Sequence, residues 1–256
     1  MEKELSYIFG KHAVEEALTY RPDLIKELYV ETGFHDEKVL AKLSRAKVTP
    51  RLLTGKKLPG GLRNDAVHQG IIAGIAVSKL LLDYKTFIEA HPLSPDTALL
   101  VLGEVQDPHN VGAVIRSAAA FGVSAVLIPP HNQAPVNGTV VKVSAGMAFR
   151  IPIVEIRNVN ATLTDLKKRG AWIYGLAGEE GAIALPTEQF TKPSVFVLGN
   201  EGEGLREKTR EACDSLLAIP MHPRCESLNA AASAAIVMYA WSAQHAQALS
   251  TGQKAG

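Results

Sequence analysis

Six short apolar runs recur after Thr97, each followed by a turn and then an amphipathic or alanine-rich stretch. This alternation limits what the chain can fold into more than any other feature. The runs span 98–105 (ALLVLGEV), 124–129 (SAVLIP), 151–156 (IPIVEI), 171–177 (AWIYGLA), 194–199 (SVFVLG) and 215–220 (SLLAIP). Helical patterns fall between most of them, over 111–121, 136–147, 161–169 and 206–212, and a longer one covers 228–246. Strands that alternate with helices pair in parallel through crossovers, and strands that are apolar on both faces are buried on both faces. The expectation is an α/β fold built on a parallel sheet of six strands. Ligands of such sheets bind beyond the carboxyl ends of the strands.

The first part of the chain reads differently. A helix is expected over 11–20, a strand over 25–30, a helix over 36–46 and a closing strand within 70–77, where GIIAGIAV is rich in β-branched residues. The stretch that follows ends in His91-Pro-Leu-Ser-Pro-Asp96, whose prolines mark a linker. The expected organisation is a small mixed α/β domain over 1–78, a linker over 79–96, a larger domain over 97–246 and a flexible tail over 247–256.

Composition closes off several classes. Apolar residues make up 46% and charged residues 21% of the chain, which excludes wholesale disorder, collagen-like repeats and coiled coil. No apolar run reaches the roughly 18 residues of a membrane span, and MEKELSYIFG has no basic segment ahead of an apolar one. A cytoplasmic protein with no membrane partner is expected. Cys213 and Cys225 lie in no CxxC or Cys/His pattern, so they read as reduced thiols, and no metal is expected.

The net charge of +1 decides nothing, but its distribution is informative. Between Lys38 and Arg63 there are eight basic residues and no acidic one: Lys38, Lys42, Arg45, Lys47, Arg51, Lys56, Lys57 and Arg63. Such a segment is either a solvated face or a grip on a polyanion.

Three loops at strand ends carry the unusual polar residues. The first, GEVQDPHNVGAVIRSA (103–118), leaves a strand, turns at Asp107-Pro108 and opens a helix, with Asn110 suited to the N-cap. Arg116 stands in the apolar sequence GAVIRSAAAFG, which predicts partial burial and an anionic partner. The second, LGNEGEGL (198–205), puts three glycines and two carboxylates after an apolar strand. It matches neither a dinucleotide fingerprint nor a P-loop, and its carboxylates suit a cationic or hydroxyl-bearing ligand. The third, IPMHPRCESLN (219–229), leads into the alanine-rich terminal helix, with Glu226 or Ser227 as possible caps. Asn229 is a poor choice inside a helix start unless its amide meets a partner. His109 reads as a turn residue or an RNA contact, and Met238, Tyr239 and Trp241 read as packing or interface.

In this order and on these strands, NVGAVIR (110–116), GNEGEG (199–204) and Ile219-Pro-Met221 with Ser227-Leu-Asn229 resemble the three motifs of the SpoU/TrmH family of RNA ribose 2′-O-methyltransferases, in the SPOUT superfamily. The resemblance covers the whole chain. YIFGKHAVEEAL and AVHQGIIA are similar to the ribosomal-protein-like RNA-binding domain that precedes the catalytic domain in the branch modifying a guanosine of large-subunit (23S) rRNA. The chain departs from the family pattern at His222-Pro-Arg-Cys225 and at Ala230-Ala231.

The resemblance implies an S-adenosylmethionine enzyme with a C-terminal trefoil knot, acting as a homodimer with active sites completed across the interface. Its cofactor residues map to Leu198, Gly199, Gly204, Ile219, Met221 and Leu228. Its catalytic residues map to Asn110, Arg116, Glu201, Ser227 and Asn229. Arg116 is expected to clamp a phosphate and stabilise a developing alkoxide, the asparagines and Glu201 to orient groups, and Ser227 to hydrogen-bond the ribose or the cofactor loop. Lys38, Lys42, Arg45, Lys56, Lys57, Arg63 and His68 are expected to grip rRNA. A tRNA target and a non-catalytic RNA-binding role on the same scaffold are the alternatives. A nucleotide-dependent oxidoreductase is not supported, because no glycine fingerprint follows the first strand.

Overall fold

The computed structural model describes residues 5–54, 58–62, 67–179, 181–200 and 202–250. They form two compact units, one of Met1–Leu81 with Val136–Arg150, the other of Leu82–Pro135 with Ile151–Gly256.

The first unit begins with β1 (Ser6–Phe9), α1 (Lys11–Tyr20), β2 (Ile25–Val30), α2 (Glu37–Ala46), β3 (Arg51–Leu52) and β4 (Ile71–Ile75). Its sheet runs β1-β4-β2-β3, with β4 antiparallel to both neighbours and β2 parallel to β3. Asp36 caps α2 by accepting a hydrogen bond from the Val39 amide. Val39 and Leu43, four residues apart, are the face that α2 buries. Both helices and β2 lie where the residue pattern predicts, whereas β1 and β3 are additions too short to leave a pattern of their own.

Farther along come β5 (Leu81–Asp83), α3 (Tyr84–Ala90), β6 (Ala98–Leu102), α4 (Pro108–Ala120), β7 (Ala125–Ile128), α5 (Gly138–Val143) and β8 (Ile153–Glu155). They are followed by α6 (Val159–Lys168), β9 (Trp172–Leu176), β10 (Ile183–Ala184), β11 (Ser194–Leu198), α7 (Glu207–Glu211), β12 (Ser215–Ala218), α8 (Ala230–Gln244) and α9 (Ala246–Ser250). The eight-stranded sheet of the second unit has the order β10-β12-β9-β11-β6-β7-β8-β5, and every pairing from β10 to β8 is parallel. Six of its strands are the six apolar runs. The two edge strands β10 and β5 have two and three residues, too few to show as apolar runs.

Leu99, Val101, Leu127, Val154, Leu163, Leu166, Ile173 and Val197 form the core between this sheet and its helices. Each such side chain contributes roughly 1.5–3 kcal/mol by leaving water. α9 occupies part of the stretch expected as a flexible tail.

The segment 136–150, which periodicity alone places in the larger domain, packs in the first unit instead. Two glycines permit the approach: a Cβ on Gly138 would lie 2.1 Å from the Tyr7 carbonyl oxygen, and one on Gly146 would lie 2.6 Å from the Glu16 side chain. Arg150 then donates to both carboxylate oxygens of Glu16, at 2.7 and 2.9 Å, and stacks over the Tyr20 ring. Glu16 is 7% exposed, so the ion pair keeps a buried carboxylate from being left uncompensated.

Candidate active site

β9, β11 and β12 end side by side, and beyond their carboxyl ends lies a cavity of about 280 Å³. Leu198, Gly199, Gly204, Ile219, Met221 and Leu228, the six residues matched to the cofactor motifs, all line it. The second loop owes its shape to Asn200. Its backbone pairs with Gly204 in both directions at 2.9 and 3.0 Å, while its Oδ1 accepts from the Gly202 and Glu203 amides. Gly204 holds φ at +70°, which glycine adopts without strain. Gly199 is required for space: a Cβ there would lie 2.4 Å from the Gly204 carbonyl carbon and oxygen.

The cavity also has a wall that motif reading misses, Leu176 to Glu179 after β9. The sequence LAGEEG after an apolar strand repeats the glycine-carboxylate signature of the second loop and could have revealed it. Gly178 has open space where a Cβ would stand, so its backbone is accessible to a ligand. Glu226 and Glu179 contribute carboxylates to the same walls, that of Glu179 paired with Arg210 at 2.5 Å.

The helix starts differ from expectation in an informative way. Asp107, not Asn110, caps α4, accepting from the His109 amide, with Pro108 at the first helical position. Asn110 is instead the third residue of α4. Asn229, and neither Glu226 nor Ser227, caps α8: its Oδ1 accepts from the Ala231 and Ala232 amides at 2.9 and 3.2 Å. Its Nδ2 donates to Asn110 Oδ1 at 3.0 Å. One asparagine therefore starts α8 and ties the third loop to the first. Ser227, two residues earlier, lines the cavity.

This double role is separable by mutation. Asn229→Ala removes the cap and is expected to cost about 1 kcal/mol, with a range of roughly 0.5–2. Asn229→Asp retains an acceptor for the cap and loses the donor to Asn110. Thermal melting should show the alanine variant destabilised and the aspartate variant close to wild type, while both lose activity. An Asn229→Asp enzyme of full activity would remove the Asn110 contact from the working site.

Arg116 departs from its expected burial. It is exposed, and among the described residues it has no carboxylate partner. Val114, Ile115 and Ala118 turn to the core, while Ala113, Arg116 and Ala120, at helical spacing, face outward. Arg116 lines neither this cavity nor the neighbouring one. Six residues and a rotation of about 120° separate it from Asn110. Within a single chain, the arginine and the asparagine pair point to different sides of α4.

Glu201, Lys56, Lys57 and Arg63 lie outside the described residues. Lys38 and Arg45 are exposed on α2, but Lys42 on the same face is paired with Glu15 at 2.7 Å. Arg51 likewise meets Glu27 at 3.9 Å. The basic segment is therefore partly neutralised by acidic residues remote in sequence. His68 accepts from the Gly70 amide at Nδ1, and its Nε2 lies 3.8 Å from Glu31. His109 is exposed, Met238 and Trp241 are buried, and Tyr239 is 61% exposed. Burial pushes the Cys213 thiol up to about 11, which leaves it protonated and unreactive at neutral pH. Among the described residues there is no group of three or more His, Cys, Asp or Glu placed to hold a metal, and no helix long and apolar enough to cross a membrane.

Comparisons with known proteins agree with this geometry. Residues 97–239 match the SpoU rRNA methylase family model, and residues 7–80 match the model for RNA 2′-O ribose methyltransferase substrate binding. The chain is 38% identical to the 23S rRNA (guanosine-2′-O-)-methyltransferase RlmB of Nitrosomonas europaea, over 96% of this chain and 94% of that one. It is also 38% identical to RlmB of Vibrio parahaemolyticus, over 91% and 94%. In fold it is similar to the SpoU methyltransferase AviRb of Streptomyces viridochromogenes in complex with AdoMet, with a TM-score of 0.76 at 19% identity, covering 95% of this chain and 92% of that one. With the family model spanning more than half its length and full-length relatives well above 30% identity, the chain belongs to the SpoU rRNA methylase family.

Proposed function

We propose that the protein transfers a methyl group from S-adenosylmethionine to the ribose 2′-hydroxyl of a guanosine in 23S rRNA. The observation that carries this reading is that all six residues matched to the cofactor motifs line one cavity at the carboxyl edge of the parallel sheet. The cavity suits that cofactor. Leu198, Ile219 and Leu228 offer apolar surface, Gly178 an accessible backbone, and Glu226 a carboxylate for ribose hydroxyls or a cationic group. The cofactor, when bound, supplies a methyl group activated by its positively charged sulfur.

The chain's own residues position the acceptor. A ribose hydroxyl is a weak nucleophile, so it must be held in line and its developing negative charge stabilised. Asn229 and Asn110 fix the third loop against α4, and Ser227 at the cavity wall hydrogen-bonds the ribose. Arginine stays protonated in proteins, so Arg116 acts by clamping the neighbouring phosphate and stabilising the alkoxide, not as a base. The hydroxyl proton leaves to solvent at the exposed Ser227 rim.

A homodimer explains why Arg116 stands apart from the cavity in one chain: a second copy brings its Arg116 to the first copy's site. The exposed Ile236 and Tyr239 of α8, at 38% and 61%, give such a pair an apolar contact beside α4. The second unit, and so the 97–246 segment without 136–150, is the catalytic domain, with the chain knotted as in SPOUT enzymes. The 1–78 segment grips RNA through Lys38, Arg45 and the basic residues that follow, and the protein works in the cytoplasm on rRNA. The stretch 79–96, expected as a linker, instead forms β5 and α3, with Phe87 and Ile88 in the core of the second unit.

The test is to incubate the protein with methyl-labelled S-adenosylmethionine and, separately, large-subunit rRNA and total tRNA, then identify labelled nucleosides by mass spectrometry. The reading requires 2′-O-methylguanosine in rRNA. Label in tRNA alone would move the target, and failure to bind the cofactor would overturn the enzymatic reading.

A further inference from the structure

The carboxyl edge of the sheet carries a second cavity, of about 230 Å³, beside the first. It lies beyond the ends of β11, β6, β7 and β8, which are neighbours in the sheet. Gly199, Gly204 and Leu205 line both cavities, so the second loop is a partition between them. None of the motif matching explains the other residues of this second cavity.

Its chemistry is that of a site for a polyanion carrying a heterocyclic base. Arg157 supplies positive charge, His131 a flat ring, and Asn132, Asn158 and Asn160 carboxamides. The one carboxylate, Glu104, is neutralised: Arg206 donates to it from Nε at 3.0 Å and lies 2.7 Å away at Nη2, and Asn132 Nδ2 donates at 3.2 Å. Asn158 and Asn160 use their side-chain oxygens within the protein, to the Ala161 amide and the Thr209 hydroxyl, which leaves their N–H groups for a ligand. Arg157 is exposed and makes no ion pair or hydrogen bond among the described residues; its charge acts only at longer range on Asp83. Glu104 and Asn132 hold φ at +72° and +54°, so two of this cavity's polar groups sit in a backbone region that non-glycine residues rarely adopt.

We infer that this second cavity binds one nucleotide of the substrate RNA, distinct from the nucleotide that is methylated. Arg157 takes the phosphate and the His131, Asn132, Asn158 and Asn160 groups take the base. The inference rests on the proposed RNA substrate and deepens it. Asparagine carboxamides provide the donors and acceptors that read base edges in unpaired RNA, and a free guanidinium suits phosphate in bidentate fashion. Asn200 connects the two cavities, because its Nδ2 donates to the Glu104 carbonyl oxygen at 3.1 Å while its Oδ1 shapes the partition loop. A nucleotide in the second cavity therefore presses on the loop that encloses the first, so recognition of the flanking sequence is coupled to the geometry of methyl transfer.

Binding of the full-length protein to a transcript of large-subunit rRNA, followed by fluorescence anisotropy over a salt series, tests this without requiring turnover. Arg157→Ala should weaken binding about tenfold and reduce the slope of log affinity against log salt by roughly one phosphate contact. Arg157→Lys should keep the slope, because the charge remains, and cofactor affinity by calorimetry should match wild type in both variants. Photo-crosslinks from a thiouridine-bearing transcript should map to 129–132 and 157–160. An unchanged salt slope in Arg157→Ala, or crosslinks confined to other segments, would overturn the assignment. Absence of methyl transfer by wild type would overturn the proposed activity instead, and the binding slope would still decide the role of this cavity.

Discussion

Replacing Arg116 by alanine is expected to lower kcat by about 10²–10³, the usual loss when a preorganised charge at the reacting centre is removed. Cofactor affinity should not change, since Arg116 lines neither cavity. Stability should change little as well, because the side chain is exposed and has no carboxylate partner among the described residues. This combination separates a functional arginine from a structural one. Arg116→Lys sharpens the account: lysine keeps the charge and loses the planar fork, so it should retain only part of the activity. Steady-state rates with labelled cofactor decide the matter, and near-wild-type turnover by the lysine variant would sink the bidentate clamp. A bell-shaped pH profile is not expected to lose its basic limb in Arg116→Ala, since the arginine is assigned no proton transfer.

How much of this was legible in the residues follows from the range of each signal. The six inner strands of the large sheet are continuous apolar runs, and a local window registers them. β5 and β10 are held by pairing with distant strands, which no window contains. The helix starts show the same division. Both Asp107-Pro108 and Ser227-Leu-Asn229 announce a helix, but only the hydrogen bonds of the folded chain show that Asp107 and Asn229 are the caps and that Asn229 also reaches across to Asn110. Arg116 is exposed despite its apolar neighbours because the hydrophobicity of GAVIRSAAAFG is an average over all faces of α4, whereas burial depends on one face. The basic segment is partly neutralised for a related reason: Glu15 and Glu27, which pair with Lys42 and Arg51, lie outside it in sequence. The 136–150 segment moved between units because Gly138 and Gly146 act through close approach to Tyr7 and Glu16, a relation with no local periodicity. The six residues matched to the cofactor motifs, by contrast, line one cavity, since they sit on loops that directly follow the strands of a parallel sheet.

Gly199→Ala is expected to have the other large effect, a fall in cofactor affinity of about tenfold to a hundredfold. The added methyl would stand 2.4 Å from the Gly204 carbonyl group and 2.6 Å from the Leu205 nitrogen. Those are backbone atoms, held in turn by the two hydrogen bonds between Asn200 and Gly204, so no side chain can rotate away to relieve the clash. Overpacking of this kind costs roughly 1–3 kcal/mol, and the strain falls on the loop that walls the cavity. Calorimetry with S-adenosylmethionine measures it, and wild-type affinity would mean that the loop is not the cofactor's wall. The two variants together also test the homodimer. If Arg116 serves the cavity of the other copy, a heterodimer of Arg116→Ala and Gly199→Ala chains holds one intact site and one doubly damaged site. Random mixing makes about half the dimers mixed, each with half its sites intact, so activity should return to about a quarter of wild type. If Arg116 serves its own chain, every site in the mixture carries one lesion and the activity stays at the level of the separate variants.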